Sequence, residues 1–177
     1  MRESTKAKSE KLEANSGERG FTLLLAALVA SIVIALGAAI FSIAQKELTL
    51  SSIGRDSQYA FYAADTAAEC ALYWDSRKYA FPTTSAKLFT SNITCDGQTV
   101  STSYVDEGDT VKTVFEFQPN GYCAYVEVLK RLIPEQNSIA TAIRADGYSI
   151  GAESVDKCES AIAESPRALQ RSVELRY

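Results

Sequence analysis

The chain has 177 residues, 46% of them apolar and 23% charged, with 18 basic against 22 acidic side chains and no histidine. That length allows about one domain with appendages, and the composition is ordinary for a globular chain, so anything distinctive lies in the arrangement of residues. The absence of histidine removes the commonest general base and metal ligand, and the acidic balance repels phosphate, so an enzyme and a general nucleic-acid binder are both disfavoured.

Residues 1–20 are polar, mixed in sign and poor in large apolar side chains, and cannot bury a core. From Phe21 to Ala44 no residue is charged, and Leu, Ala, Ile and Val dominate, interrupted by Thr22, Ser31 and Ser42. Such a run extends about 36 Å as a helix, enough to span a bilayer with some tilt. A soluble core helix would carry a polar stripe at the 3.6-residue period, which is missing. Arg2, Lys6, Lys8, Lys11 and Arg19 precede the run, whereas only Lys46 and Arg55 follow it closely, so the N-terminus is expected on the cytoplasmic side. The apolar stretch is too long for a secretory signal peptide, and its wholesale removal is not expected.

Helical patterning continues through "QKELTLSSIGRDSQYAFYAADTAAECALYWDSRKY". Ile53, Ala60, Ala64, Ala67, Ala71 and Trp74 fall on one stripe by their spacing, which predicts packing of this part of the helix on a domain. No proline intervenes before Pro82, so one helix is predicted from about Phe21 to about Lys78, with Gly37 and Gly54 as weak points costing about 1 kcal/mol each against Ala. Beyond it, "TVKTVFEFQP", "GYCAYVEVLKRL", "SIATAIRADGYSI" and "RALQRSVELRY" alternate apolar and polar positions, predicting at least four antiparallel strands. Val111, Thr113, Phe115 and Phe117, and Leu169, Val173 and Leu175, are expected to face the helix, although Arg171 falls in phase with the second set. The fold class is therefore α+β, a long N-terminal helix on a small antiparallel sheet. The expected division is 1–20, 21–44 spanning the membrane, 45–79 as the extracytoplasmic half of the helix, and 80–177 as the sheet domain. Residues 79–109 and 151–166 read as loops too generic to name a ligand.

Cys70, Cys95, Cys123 and Cys158 all fall on the side assigned outside the cytoplasm, where an even count favours disulfides. The nearest two are too far apart for a zinc motif, and no metal or other cofactor is expected. Three pairings are possible; Cys70 with Cys95 and Cys123 with Cys158 are favoured, each contributing roughly 3 kcal/mol. "DEGD", Asp106 to Asp109, offers oxygen ligands without the twelve-residue calcium-loop pattern, and a solvated hairpin turn is the better reading. "NIT" at Asn92 is read as a chance sequon, and the aromatics of "EFQPNGYCAYVEV" as core and sheet pairing. A local basic patch around Lys130, Arg131 and Arg144 stays open.

Gly20 followed by Phe21 and Thr22, behind a basic leader and at the head of a single spanning helix, resembles the class III signal of type IV pilins and pseudopilins. The resemblance implies cleavage after Gly20 by a prepilin peptidase, N-methylation of Phe21, storage in membrane lipid, and assembly with other pilin or pseudopilin subunits into a cell-surface or periplasmic filament. "AFYAADTAAECAL" is similar to the Ala-rich post-membrane helix of several minor pilins and K-type pseudopilins. In most of the family the fifth mature residue is a glutamate that meets a neighbouring subunit's amine; here Leu25 holds that place. K-type tip subunits also lack it, so the resemblance implies a tip or other minor position. Removing the leader leaves 13 basic and 18 acidic residues, so nucleic acid is not an expected partner. The alternatives are a bitopic anchor carrying an extracytoplasmic binding domain, and an adhesin or DNA-uptake subunit displayed on a pilin helix.

Overall fold

The computed structural model describes residues 16–83, 91–136 and 138–177; residues 1–15 of the expected leader lie outside these. The chain divides into two compact units, Met1–Thr49 and Leu50–Tyr177. Helix α1 covers Ser16–Lys78, 63 residues, ending where the sequence predicts and beginning about a turn before Phe21. In the first unit every described residue from Gly20 to Thr49 is exposed, and the helix passes through Gly37 with open space where a Cβ would stand.

In the second unit, the later turns of α1 pack on a five-stranded antiparallel sheet of order β3-β4-β5-β6-β7, comprising Ser103–Asp106, Thr110–Phe117, Ala124–Ile133, Ser138–Tyr148 and Gln170–Arg176. A separate hairpin joins β1 (Asn92–Cys95) to β2 (Gln98–Ser101), and a short helix α2 covers Cys158–Glu164. The fold is α+β, and four of the strands are those expected. The first three strands and α2 occupy segments expected as loops, a correction with a physical basis. Each of the three strands is only four residues long, too short for alternation to register, and β3 is exposed throughout. One signal was nevertheless present. Asp96-Gly97 forms the two-residue turn of the first hairpin with positive φ at both positions, 49° and 71°, the geometry for which Asp-Gly is suited.

The helix-facing side of the sheet follows from parity. Val111, Thr113, Phe115 and Phe117 on β4 are buried as expected, with Ala124, Val126 and Val128 on β5 and Ile143 and Ala145 on β6 beside them. Val173 and Leu175 on β7 pack against this core. Arg171, in phase with them, stays on the helix-facing side and donates from Nε to Ser57 Oγ on α1 at 2.8 Å. The helix contributes Ala60, Ala63, Ala64, Ala67, Ala68 and Ala71, all nearly inaccessible. Ile53, expected on this stripe, is 46% exposed, so the packed stripe begins at Ala60. The reason for so many alanines is the approach of β6. A Cβ added to Gly147 would stand 2.2 Å from the Ala60 carbonyl oxygen and 2.3 Å from the Ala64 nitrogen, inside helix backbone that cannot rotate away.

At its C-terminus α1 stops on Tyr79, which adopts a left-handed backbone (φ 51°). The Tyr79 N–H donates to the Asp75 carbonyl and the Ala80 N–H to the Trp74 carbonyl, satisfying carbonyls that a helix end otherwise leaves open. Phe81 then turns inward and stacks on Phe115 with centroids 5.9 Å apart.

Two substitutions are expected to move stability in opposite directions. Gly147→Ala should cost about 3 kcal/mol by forcing sheet and helix apart, and Tyr79→Gly should gain about 1 kcal/mol by relieving the left-handed conformation. Thermal unfolding of the full chain in detergent measures both, and an unchanged Tm for Gly147→Ala would contradict the close approach.

Candidate functional site

The sequence points to the start of the apolar segment, and there the structure is simple. Gly20 and Phe21 lie within α1, both exposed, and Leu25 one turn on is exposed as well. One of the polar interruptions is absorbed locally: Ser31 donates to the Leu28 carbonyl at 2.7 Å. By length and composition the helix can cross a membrane, which is compatible with a single-pass anchor. Exposed large apolar side chains run from Phe21 through Leu28, Ile34 and Phe41 to Ile43, a surface that water does not favour.

In the second unit the four cysteines form two disulfides, Cys70–Cys95 and Cys123–Cys158, the pairs the sequence favours. The first ties α1 to the end of β1, where Trp74 Nε1 also donates to the Thr94 carbonyl at 2.9 Å. The second ties the residue before β5 to the first residue of α2.

The other sequence candidates resolve into local structure. Asp106 to Asp109 make the turn between β3 and β4, and Asp106 Oδ1 accepts the Gly108 N–H at 3.0 Å. Among the described residues no group of three or more potential ligands can hold a metal ion. Asn92 is exposed on β1, with Ser101 Oγ at 3.5 Å from its Oδ1. Phe117 is core, and Tyr122 stacks on Tyr59 of α1 at 5.0 Å. Lys130, Arg131 and Arg144 do not form a patch: Lys130 points inward, neighbouring Arg131 is exposed, and Arg144 Nε lies 3.2 Å from Asp146 Oδ1.

Sequence reasoning missed the most buried charged group. Asp75, 4% exposed on the last turns of α1, forms an ion pair with Lys130, 7% exposed on the inner side of β5. The other Asp75 oxygen accepts the Tyr177 hydroxyl at 2.7 Å. Burial, reinforced by this hydrogen bond, pushes the Tyr177 phenol well above its usual value. Lys130 sits in the apolar phase of β5 and Asp75 directly follows the helix stripe, so two opposite charges at core positions were the available signal.

On the opposite side of the sheet, Glu116 of β4, Tyr125 of β5, Tyr148 of β6 and Glu159 and Ile162 of α2 line a cleft of about 300 Å³. Burial, then the neighbouring Glu159 and Asp156 carboxylates, hold the Glu116 carboxyl above the ordinary range. Burial likewise raises both tyrosine phenols.

No family model, curated protein or solved structure matches the chain. What the chain itself displays is a pilin-like arrangement, a long N-terminal apolar helix whose later turns pack on an antiparallel sheet.

Asp75→Asn should destabilise the fold by about 3 kcal/mol, because it strands a buried ammonium, and adding Lys130→Met should recover most of that loss in chemical unfolding. Glu116 gives a pH signature. A carboxyl raised in the folded state contributes stability below its unfolded value and loses it as pH rises through the folded one. Glu116→Gln should therefore stabilise the protein at pH 7, with the gain vanishing below about pH 4. A gain equal at both pH values would place its cause outside this titration.

Proposed function

We propose that this protein is a minor subunit of a type IV pilus or type II secretion-like filament, occupying the tip and initiating assembly. The observation that carries the proposal is the sequence Gly20-Phe21-Thr22 at the head of a charge-free segment of a helix whose later turns pack on an antiparallel sheet. Basic residues before the segment hold the leader on the cytoplasmic side, where a prepilin peptidase would hydrolyse the Gly20–Phe21 amide and methylate the new Phe21 amine. The exposed apolar surface is then covered first by lipid and later by the helices of neighbouring subunits.

The tip position rests on Leu25. A carboxylate in an apolar membrane setting costs on the order of 3 kcal/mol unless paired, so a glutamate at this place implies a partner amine above it. Leu25 needs none, as suits a subunit with nothing above it, while the methylated amine of Phe21 stays available to the glutamate of the next subunit below. In this reading the protein acts by binding and positioning, with no reaction of its own.

Mass spectrometry of the mature N-terminus tests processing: the chain should begin at N-methyl-Phe21. Retention of Met1 in cells with active prepilin peptidase would instead favour a bitopic anchored binding protein, a reading that the one candidate span among the described residues also fits. Leu25→Glu tests position. It places an unpaired acid in an apolar setting and should impair filament initiation or leave it unimproved, with labelled wild-type chain at filament ends. Uniform labelling along the shaft, together with increased incorporation of Leu25→Glu, would assign an ordinary minor position.

A further inference from the structure

The cleft on the outer side of the sheet has a chemistry that neither the helix packing nor the filament reading uses. Its floor is set by strand register. Glu116 and Tyr125 are directly opposed on β4 and β5. Tyr125 opposes Asp146 on β6, which makes Tyr148 its diagonal neighbour on the same side, within reach of an aromatic ring. The wall is α2, anchored at its first residue by the Cys123–Cys158 disulfide, which brings Glu159 and Ile162 over the strands.

What surrounds the cleft is as informative as what lines it. The basic side chains nearby are already engaged: Lys112 with Glu127, Arg144 with Asp146, and Lys157 with Glu153 at 2.8 Å. Among the described residues Glu116, Glu159 and the two tyrosine hydroxyls have no hydrogen-bond or ion-pair partner. A half-buried carboxylate beside two aromatic rings, with the local cations withdrawn, disfavours anions by charge and neutral apolar ligands by desolvation. A divalent metal is disfavoured too. Calcium takes six to eight oxygens, and the lining offers two carboxylates.

We propose that this cleft binds an organic ammonium cation, seated against the faces of Tyr125 and Tyr148 and neutralised by Glu116 with support from Glu159. Aromatic faces attract a cation through the ring quadrupole, and a carboxylate at the same site supplies the charge-assisted contact. About 300 Å³ is at the small end of ligand clefts, room for one head group and not for an extended ligand. The head group is presented either by a small molecule or by a lysine side chain, and the two sources share this chemistry.

Titration of the full chain in neutral detergent, followed by NMR or calorimetry, distinguishes them with two probes: tetramethylammonium for the small-molecule source and Nα-acetyl-lysine methylamide for the side-chain source. Saturable binding of at least one probe is expected, with affinity on the order of millimolar. Glu116→Gln and Tyr148→Ala should each weaken it roughly tenfold, while Tyr148→Phe, which keeps the ring, should stay within about twofold. Unchanged near-ultraviolet circular dichroism and an intact Cys123–Cys158 bond serve as the folding control. Failure of both probes to saturate, or retention of wild-type affinity in Glu116→Gln or Tyr148→Ala, would overturn the proposal. Calcium binding that displaces the probes and survives Tyr148→Ala would overturn it equally, by assigning a metal site.

Discussion

Everything in the second unit is organised by one distance, the approach of β6 to the backbone of α1 at Gly147. A strand normally keeps a helix at arm's length through its side chains; here a bare Cα lies against the Ala60–Ala64 turn, and a single methyl would collide with main-chain atoms. The alanines along the helix are the other half of the same constraint. Ala60, Ala64, Ala67 and Ala71 each leave room that a leucine would fill, so the helix settles low over the sheet. The larger core groups, Phe115, Phe117, Ile143 and the β5 valines, then take up the space to either side. A small-residue seam of this kind gains less apolar burial per residue than a leucine seam. It relies on close dispersion contact and on the larger residues flanking it.

That economy explains the covalent and ionic ties at the margins of the seam. Cys70–Cys95 fastens the helix to the first hairpin, and the Asp75–Lys130 pair with Tyr177 fastens its last turns to β5 and to the residue that follows β7. Tyr177 itself is held in the sheet by reciprocal backbone bonds with Thr141, at 2.8 and 3.0 Å. A buried ion pair is weak evidence for net stability against an apolar substitute, but it is directional. It specifies where along the helix β5 must lie, which an alanine stripe with a repeating spacing leaves poorly defined.

How much of this was legible in the sequence depended on which residues carried alternation. The end of α1 near Lys78 followed from the lack of proline before Pro82 and the β4 side chains Val111 to Phe117 from alternation, whereas the two disulfides were favoured among three possible pairings that the sequence left open. The position of Arg171, ambiguous by phase, made sense only once Ser57 was found opposite. Strands β1 to β3 escaped because four residues seldom alternate detectably, although Asp96-Gly97 advertised the first hairpin. Ile53 was placed on the buried stripe because spacing alone does not say where a partner begins. Asp75 was overlooked, and Lys130 was read as part of a basic patch, because a charge is by default assigned to solvent, and only their shared core phase argued otherwise. The outer cleft was illegible for another reason: its walls come from three strands and from a helix in a segment read as loop.

The apolar segment poses a different energetic problem. Between Phe21 and Ile43 the exposed side chains include Leu23, Leu24, Leu28, Ile32, Ile34, Ile40 and Phe41. At about 2 kcal/mol for burying each such group, the whole segment represents on the order of 20 kcal/mol of unfavourable hydration. A cost of that size is a strong drive to cover the segment with lipid or with other apolar surface. Lipid removes the penalty at once, and neighbouring apolar helices remove it equally well. If the chain assembles as proposed, transfer between the two hinges on polar groups, and Leu25 leaves the segment without an ionisable side chain. A glutamate there would have to hold a proton or find an amine at the moment of transfer, tying extraction from the membrane to the presence of a partner. In the proposed filament, a leucine uncouples the two, so this subunit can leave the bilayer with no partner above it, and that is the property an initiating subunit requires.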